Sequence, residues 1–231
     1  MKLGILFSGG KDSAYALQLA SAHAEVSCLI TLISHNKESY MFHTPAIEMT
    51  RLQAEACGLP HVVVETEGEK EVELEDLEKA LKQAQEEHGI QGVVTGAIES
   101  VYQGTRVQTI CHKLGLWCFN PLWKKDQVTL LEELVEHDYE VLISGVFAYP
   151  FGDSWLGRRL DETMIGELVE LHQKYQINPS GEGGELETTV LDAPFFNKRI
   201  EIVEASGTVH NHAGSLNISE ARLVDKEEVA Q

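Results

Sequence analysis

The chain has 231 residues, 43% of them hydrophobic, and carries a formal net charge of −19, enough apolar content to build a core as one large domain or two modest ones. Its 18 Lys+Arg stand against 37 Asp+Glu; a nucleic-acid clamp needs a basic face, so this balance excludes nucleic acid as the expected partner and favours a neutral or cationic one. No apolar run approaches the roughly 20 residues that span a bilayer, and residues 1–7 are too short for a signal peptide, so no membrane is expected and the reading is cytoplasmic.

Leu3–Phe7 predicts a short buried strand. Ser8-Gly9-Gly10-Lys11-Asp12-Ser13 follows as a glycine turn, and Asp12 to Ala24 is a helix that is apolar almost all round. Cys28–Ile33 is a second strand. Thr44 and Pro45 open a helix as its cap and first residue, and Gly58 closes it. Val62–Val64 is a third strand. Leu74, Leu77, Leu81 and Ala84 make the apolar stripe of a helix ended by Gly89, with the acidic run Glu65–Glu78 as its solvated loop and face. Gly92–Thr95 is a fourth strand, Val107, Ile110, Cys111 and Leu114 mark a helix ended by Gly115, and Trp117–Phe119 is a fifth strand.

After Pro121-Leu122-Trp123 the pattern changes. A helix at Gln127–Glu136 precedes a strand at Val141–Val146. Asp161, between Leu160 and Ile165, caps a helix running to Tyr175. β-like runs follow at Thr188–Leu191, Arg199–Val203 and Thr208–His210, the last placing His210 and His212 on one face; Val224–Gln231 is expected to fray. The alternation predicts an α/β domain over 1–122 on a parallel, Rossmann-like sheet, and a smaller α+β domain over 123–231. Ligands of such sheets bind beyond the C-terminal strand ends, which places Ser8–Ser13 and Gly96–Ser100 at one edge.

The turn carries phosphate chemistry. Its glycines let a ligand approach the backbone, and a helix N-terminus faces the same spot. Ser8 and Ser13 add hydroxyls, Lys11 a positive charge and Asp12 a ligand for Mg²⁺. The spacing is neither a Walker A loop nor a dinucleotide fingerprint. It resembles the SGGxDS pyrophosphate loop of the N-type ATP pyrophosphatases. That resemblance implies an adenine-nucleotide alpha-hydrolase-like (HUP) fold, with Ser8, Gly9, Gly10, Lys11, Asp12 and Ser13 holding the β- and γ-phosphates of ATP while a substrate attacks the α-phosphate.

A second cluster lies at residues 178–188, where Glu182, Glu185 and Glu187 alternate with glycines before a strand. They suit a cation, an ammonium ion or a general base, although composition alone favours a mobile acidic loop. Residues 178–196, NPSGEGGELETTVLDAPFF, together with Gly96-Ala97-Ile98, Ser100, Tyr102-Gln103, Thr105-Arg106-Val107, Pro121-Leu122-Trp123 and Asp153–Arg158, resemble the diphthine–ammonia ligase family. The chain departs from the family's pattern at Gly104 and Gln108, where an Arg and a Glu are expected.

The resemblance implies adenylation of the carboxylate of diphthine, a modified histidine of translation elongation factor 2, and displacement of AMP by ammonia to give diphthamide. It assigns the reaction to Lys11, Asp12, Arg106, Glu182, Glu185 and Glu187, and close approach of adenine or ribose to Gly96. Trp123 and Trp155 are candidates for an aromatic wall to the trimethylammonium group. Cys28, Cys57, Cys111 and Cys118 form no CxxC pair, which suits buried hydrophobes in a reducing compartment. No cysteine has a nucleophile's setting and no room for a glutaminase is expected in the chain, so free ammonium is the expected donor. The histidines, including His35, His43, His210 and His212, show no metal-ligand spacing. An exposed β edge in the second domain would suit a homodimer. Two other functions compete: a tRNA-modifying pyrophosphatase of thiolase or lysidine type, and a non-catalytic ATP sensor.

Overall fold

The computed structural model describes residues 1–34, 47–67 and 72–226. The chain divides into two compact units, one of Met1–Thr50 with Leu59–Lys124, the other of Arg51–Gly58 with Lys125–Gln231.

The first unit holds five strands, β1 (Lys2–Leu6), β2 (Glu25–Ser34), β3 (His61–Thr66), β4 (Gly92–Val94) and β5 (Trp117–Phe119). They form one parallel sheet in the order β3-β2-β1-β4-β5. The expected α/β class and parallel sheet are therefore observed. Parallel strands require crossovers, here α1 (Lys11–Ser21), α2 (Ile47–Cys57), α3 (Val72–His88) and α4 (Val101–Leu114). Cys28, Ile30, Val62, Val64 and Val93 bury their side chains with Leu77, Leu81 and Ala84 of the α3 stripe. The acidic run around α3 is not wholly solvated, because Glu73 is 1% exposed. Gly115 ends α4 in a left-handed conformation that returns its N–H to Cys111 and His112. The Thr44-Pro45 helix start, His35 and His43 lie outside the described residues; α2 is helical from Ile47. The strand order reverses between β1 and β4, which makes their C-terminal ends the switch point of the sheet.

The second unit contains α5 (Gln127–Glu136), β6 (Glu140–Val146), α6 (Glu162–Tyr175), β7 (Leu186–Asp192), β8 (Lys198–Gly207) and β9 (Gly214–Asp225). Its sheet is antiparallel in the order β7-β6-β9-β8. Asp161 accepts from the Met164 N–H at 2.7 Å, as its cap position predicts. Gln53, fully buried, donates to the Val190 carbonyl at 2.8 Å, which ties Arg51–Gly58 to β7.

Two expectations fail here. Thr208–His210 is not a strand: His210 pairs only with Ala213 across a turn, and Asn211 and His212 adopt φ of 51° and 62°. A left-handed turn breaks the alternation, so the two histidines do not share a strand face. The longest strand, β9, was not anticipated either. Its half-buried positions run Leu216, Ile218, then Ala221, Leu223. That phase slip, opposite the irregular register around Glu204, hides the period of two.

Candidate active site

In the first unit the chain leaves β1 with the Phe7 N–H bonded to the Ile30 carbonyl at 2.8 Å. Gly9 turns it at φ 80°, a conformation that costs glycine little. Gly10 then enters α1 extended, and no side chain caps the helix, so its positive end faces the turn. The two serines fasten this geometry. Ser13 Oγ donates to the Gly10 carbonyl at 3.0 Å and accepts from the Ser8 N–H at 3.3 Å. Ser8 Oγ lies 3.2 Å from it and accepts from the Gly10 N–H at 3.4 Å.

Lys11 is 4% exposed, and its Nζ sits 3.0 Å from Asp12 Oδ2. The other oxygen, Asp12 Oδ1, is shielded from solvent and has no hydrogen-bond partner among the described residues. A carboxylate oxygen stripped of water and left unpaired costs about 1–3 kcal/mol or more. A hard cation relieves that cost, and an anionic oxygen is the donor magnesium prefers. The residues fit Mg²⁺ on this ground.

The segment after β4 meets the turn directly. A Cβ on Gly96 would lie 2.7 Å from the Asp12 carbonyl carbon and 2.8 Å from the Ser13 nitrogen. Glycine is therefore required at 96 by chain-on-chain packing, a reason different from the nucleotide approach that the sequence suggested. Thr95 Oγ1 accepts from the Ala97 N–H at 3.2 Å and donates to Asn120 at 2.5 Å, which holds the segment. Ser100 caps α4 by accepting from the Gln103 N–H. Along that helix the Arg106 guanidinium stacks 3.6 Å above the Tyr102 ring. Gly104 is covered by the Trp123 indole, whose Cζ3 would stand 3.5 Å from a Cβ.

In the second unit the glycine-rich segment is built rather than loose. Glu185 Oε1 accepts from the Asn178 N–H at 2.9 Å and from its side-chain amide at 2.8 Å. Gln127 Oε1 accepts from the Ser180 N–H and hydroxyl, and its amide donates to Asn178 at 3.2 Å. Ser180 is 2% exposed. The Glu185 carboxylate leaves no room for a Cβ on Gly183, 2.7 Å from Oε1. Its second oxygen, Oε2, is buried without a partner among the described residues. Glu187 stands on β7 opposite Gly145, and burial pushes its carboxyl up to about 7. Glu182 is half-buried between the left-handed Gly181 and Gly184. A carboxyl titrating near neutrality can take a proton from ammonium, and a carboxylate with one bare oxygen can hold a cation. Gln127 and Ser180 were not singled out as functional; Asn178-Pro179-Ser180 directly before the glycines was the available signal.

The Trp155 expectation is corrected. Its side chain is 8% exposed, with the Arg158 guanidinium 4.6 Å over its ring and Phe151 edge-on at 4.9 Å, so no face is left for a ligand cation. Trp123 keeps 40% exposure. Burial raises the Cys28 and Cys57 thiols to about 12, which leaves them protonated at neutral pH. Among the described residues no group of three His, Cys, Asp or Glu is placed to hold a metal, and no helix is long and apolar enough to cross a membrane.

Residues 1–118 match the family model of the diphthamide synthase N-terminal domain, and residues 126–224 that of the diphthamide synthase C-terminal domain. The chain is 35% identical over 253 residues to the diphthine–ammonia ligase of Danio rerio, covering 99% of both chains. It is 34% identical over 255 residues to the diphthine–ammonia ligase of Homo sapiens, covering 98% of this chain and 94% of that one. Among solved structures, a predicted subunit of tRNA methyltransferase from Methanocaldococcus jannaschii aligns over 84% of this chain and 98% of that chain at 17% identity, with a TM-score of 0.44, a likeness too slight to bear on activity. With both of its halves matched in order and relatives aligned over almost their whole length, the chain belongs to the diphthamide synthase family.

Proposed function

We propose that this chain is an ATP-dependent ligase that amidates the diphthine carboxylate of translation elongation factor 2 with ammonium, giving diphthamide, AMP and pyrophosphate. The observation that carries the reading is the pairing of a glycine turn at the sheet's switch point with Asp12, one oxygen on Lys11 and the other orphaned. A free carboxylate is a poor acyl donor. Attack of its oxygen on the α-phosphorus expels pyrophosphate and leaves an acyl-adenylate; attack of ammonia on the acyl carbon then expels AMP.

Each residue has a task in that sequence. Ser8, Gly9, Gly10 and Ser13 cradle the pyrophosphate, with Lys11 supplying charge and Asp12 the metal ligand. Magnesium, when bound at Asp12, neutralises phosphate oxygens and steadies the leaving group. Arg106, presented by α4 and stiffened by Tyr102, binds phosphate or the acceptor carboxylate. Glu187 accepts the proton that ammonium must lose, Glu185 holds a cation at its bare oxygen, and Glu182 adds to the local negative charge. These tasks divide between an ATP-handling domain over 1–122 and a substrate domain over 123–231. The excess of acidic side chains suits a trimethylammonium-bearing acceptor better than an RNA. The free cysteines suit a cytoplasmic setting.

The test is to incubate the protein with ATP, Mg²⁺, ammonium and diphthine-bearing elongation factor 2. The expected result is a carboxylate-to-amide mass change on the factor, with AMP formed only when the acceptor is present. ATP turnover to ADP, or tight binding of bulk tRNA without amidation, would sink the proposal.

A further inference from the structure

Glu187 sits on a strand that faces the core with its other side, and the pairing of β6 with β7 shows what covers it. Val146 stands opposite Leu186, and both are buried. Successive side chains alternate faces, so Gly145 and its partner Glu187 lie on the opposite face of the sheet. The Phe147 N–H donates to the Glu185 carbonyl at 2.9 Å. That bond carries the pairing one step past the end of β6 and returns Phe147 to the face of Gly145. A Cβ on Gly145 would lie 2.7 Å from Phe147 Cε2, 3.0 Å from its Cζ and 3.1 Å from Glu187 Oε2. Ring tip and carboxyl therefore share the space that a side chain at 145 would fill. Glu187 Oε2 is shielded from solvent, whereas Phe147 keeps 43% exposure. The ring stands on the water side of the carboxyl.

The loop that carries the ring is held in place. Tyr149 meets Tyr175 of α6 and His212 edge-on, at 5.0 and 4.9 Å. His212 Nδ1 donates to the Phe151 carbonyl at 2.8 Å. These rings, with Lys174 Nζ 5.0 Å over Tyr175, are the titratable groups that α6 and the turn at 208–213 bring to this loop, and they engage one another. Glu182 and Glu185 are the charged side chains of Glu187's own segment, while β6 and its extension present only Gly145 and Phe147. Burial is what raises the Glu187 carboxyl.

We propose that Phe147 is a positioning residue: its ring, seated on Gly145, is the cover that keeps water from the Glu187 carboxyl and so maintains it as the proton acceptor for ammonium. The acceptor's task rests on the ligase reading; the cover belongs to the fold and is measured without turnover. A cover of this kind matters because each unit by which a carboxylate's proton affinity falls makes it about a tenfold weaker acceptor.

The experiment is an NMR pH titration of the full chain labelled with ¹³C at the glutamate carboxyls, with the Glu187 resonance assigned by its loss in Glu187→Gln. The wild-type midpoint is expected near pH 7. Phe147→Ala, shown by circular dichroism to be folded, should lower it by about one pH unit or more, because the carboxylate regains water. Phe147→Leu keeps an apolar cover without a ring and should retain most of the elevation. A wild-type midpoint at the ordinary carboxylate value, no shift in Phe147→Ala, or an equal fall in Phe147→Leu would each overturn the cover. In amidation with ammonium, the acid limb of the kcat/KM profile should move in Phe147→Ala together with the NMR midpoint. A midpoint that moves while the limb stays would uphold the cover and overturn Glu187 as the proton acceptor.

Discussion

Gly96 and Asp12 meet backbone to backbone: a Cβ added at 96 would sit 2.7 Å from the Asp12 carbonyl carbon. The segment after β4 therefore braces the first turn of α1 and sets where the Asp12 and Ser13 backbone lies. Two loops that follow adjacent parallel strands pack there main chain against main chain.

Gly96→Ala should damage both fold and function. The colliding atoms are main chain, which cannot swing aside as a side-chain tip can, and overpacking of this kind costs about 1–3 kcal/mol. The midpoint of urea unfolding should fall, and KM for ATP should rise. An alanine variant with wild-type midpoint and KM would remove the bracing role.

Gly104→Ala should act in the opposite direction. Gly104 lies inside α4, and its added Cβ would make an ordinary contact 3.5 Å from the Trp123 ring. Replacing an interior helix glycine by alanine typically stabilises by about 0.5–1 kcal/mol. A raised Tm is the expected outcome. A lowered Tm would show that the indole cannot accept even a methyl group.

Asp12→Asn keeps the shape and one oxygen acceptor but removes the charge. Loss of one preorganised electrostatic group typically costs about 10²–10³ in kcat. The variant should lose that much, and the Mg²⁺ concentration needed for half-maximal rate should increase. Rates within threefold of wild type would take the metal-ligand role from Asp12.

The turn was legible because its chemistry is local: six consecutive residues, a strand before and a helix after. Helix ends were legible for the same reason, as Gly115 and Asp161 show. What the sequence concealed depends on partners far along the chain. Nothing near Trp155 announces that Arg158 will cover its ring, and Gln127 lies 53 residues from the Ser180 hydroxyl it receives. Composition made residues 178–188 look like a loose acidic loop; Asn178 and Gln127 make them an ordered one. The cysteines read as isolated, yet the Cys111 thiol donates to Cys118, which raises the Cys111 thiol and lowers that of Cys118, a contact between α4 and β5 that no spacing rule contains.

Glu185→Ala should lower stability as well as activity. It strands the Asn178 N–H and side-chain amide, at about 1–3 kcal/mol for buried groups left unpaired. Asn178→Ala should reproduce part of the activity loss with Glu185 intact, because the carboxylate then loses its anchor. If Asn178→Ala is fully active while Glu185→Ala is dead but equally stable, Glu185 acts on substrate rather than as an organiser of the loop.

Glu187 makes two linked pH predictions. Its folded-state carboxyl titrates at about 7, above the ordinary value of 4.5, so the folded chain holds a proton that the unfolded chain releases. Its contribution to stability is full below the ordinary value and is lost as pH rises to about 7, on the order of 3 kcal/mol in all. Glu187→Gln should abolish that slope and be more stable than wild type at alkaline pH. In the reaction, Glu187→Gln should lose activity with ammonium but retain transfer to hydroxylamine, which is already neutral at pH 7. Equal losses with both nucleophiles would exclude a proton-accepting role.

The most direct measurement of the proposed chemistry follows one oxygen atom. Elongation factor 2 bearing diphthine with heavy oxygen in its carboxylate is converted in the presence of ATP, Mg²⁺ and ammonium, and the nucleotide product is weighed by mass spectrometry. An acyl-adenylate made at the Ser8–Ser13 turn predicts one heavy oxygen in AMP and none in pyrophosphate. Label in inorganic phosphate with ADP as the nucleotide, or unlabelled AMP beside a fully formed amide, would contradict it.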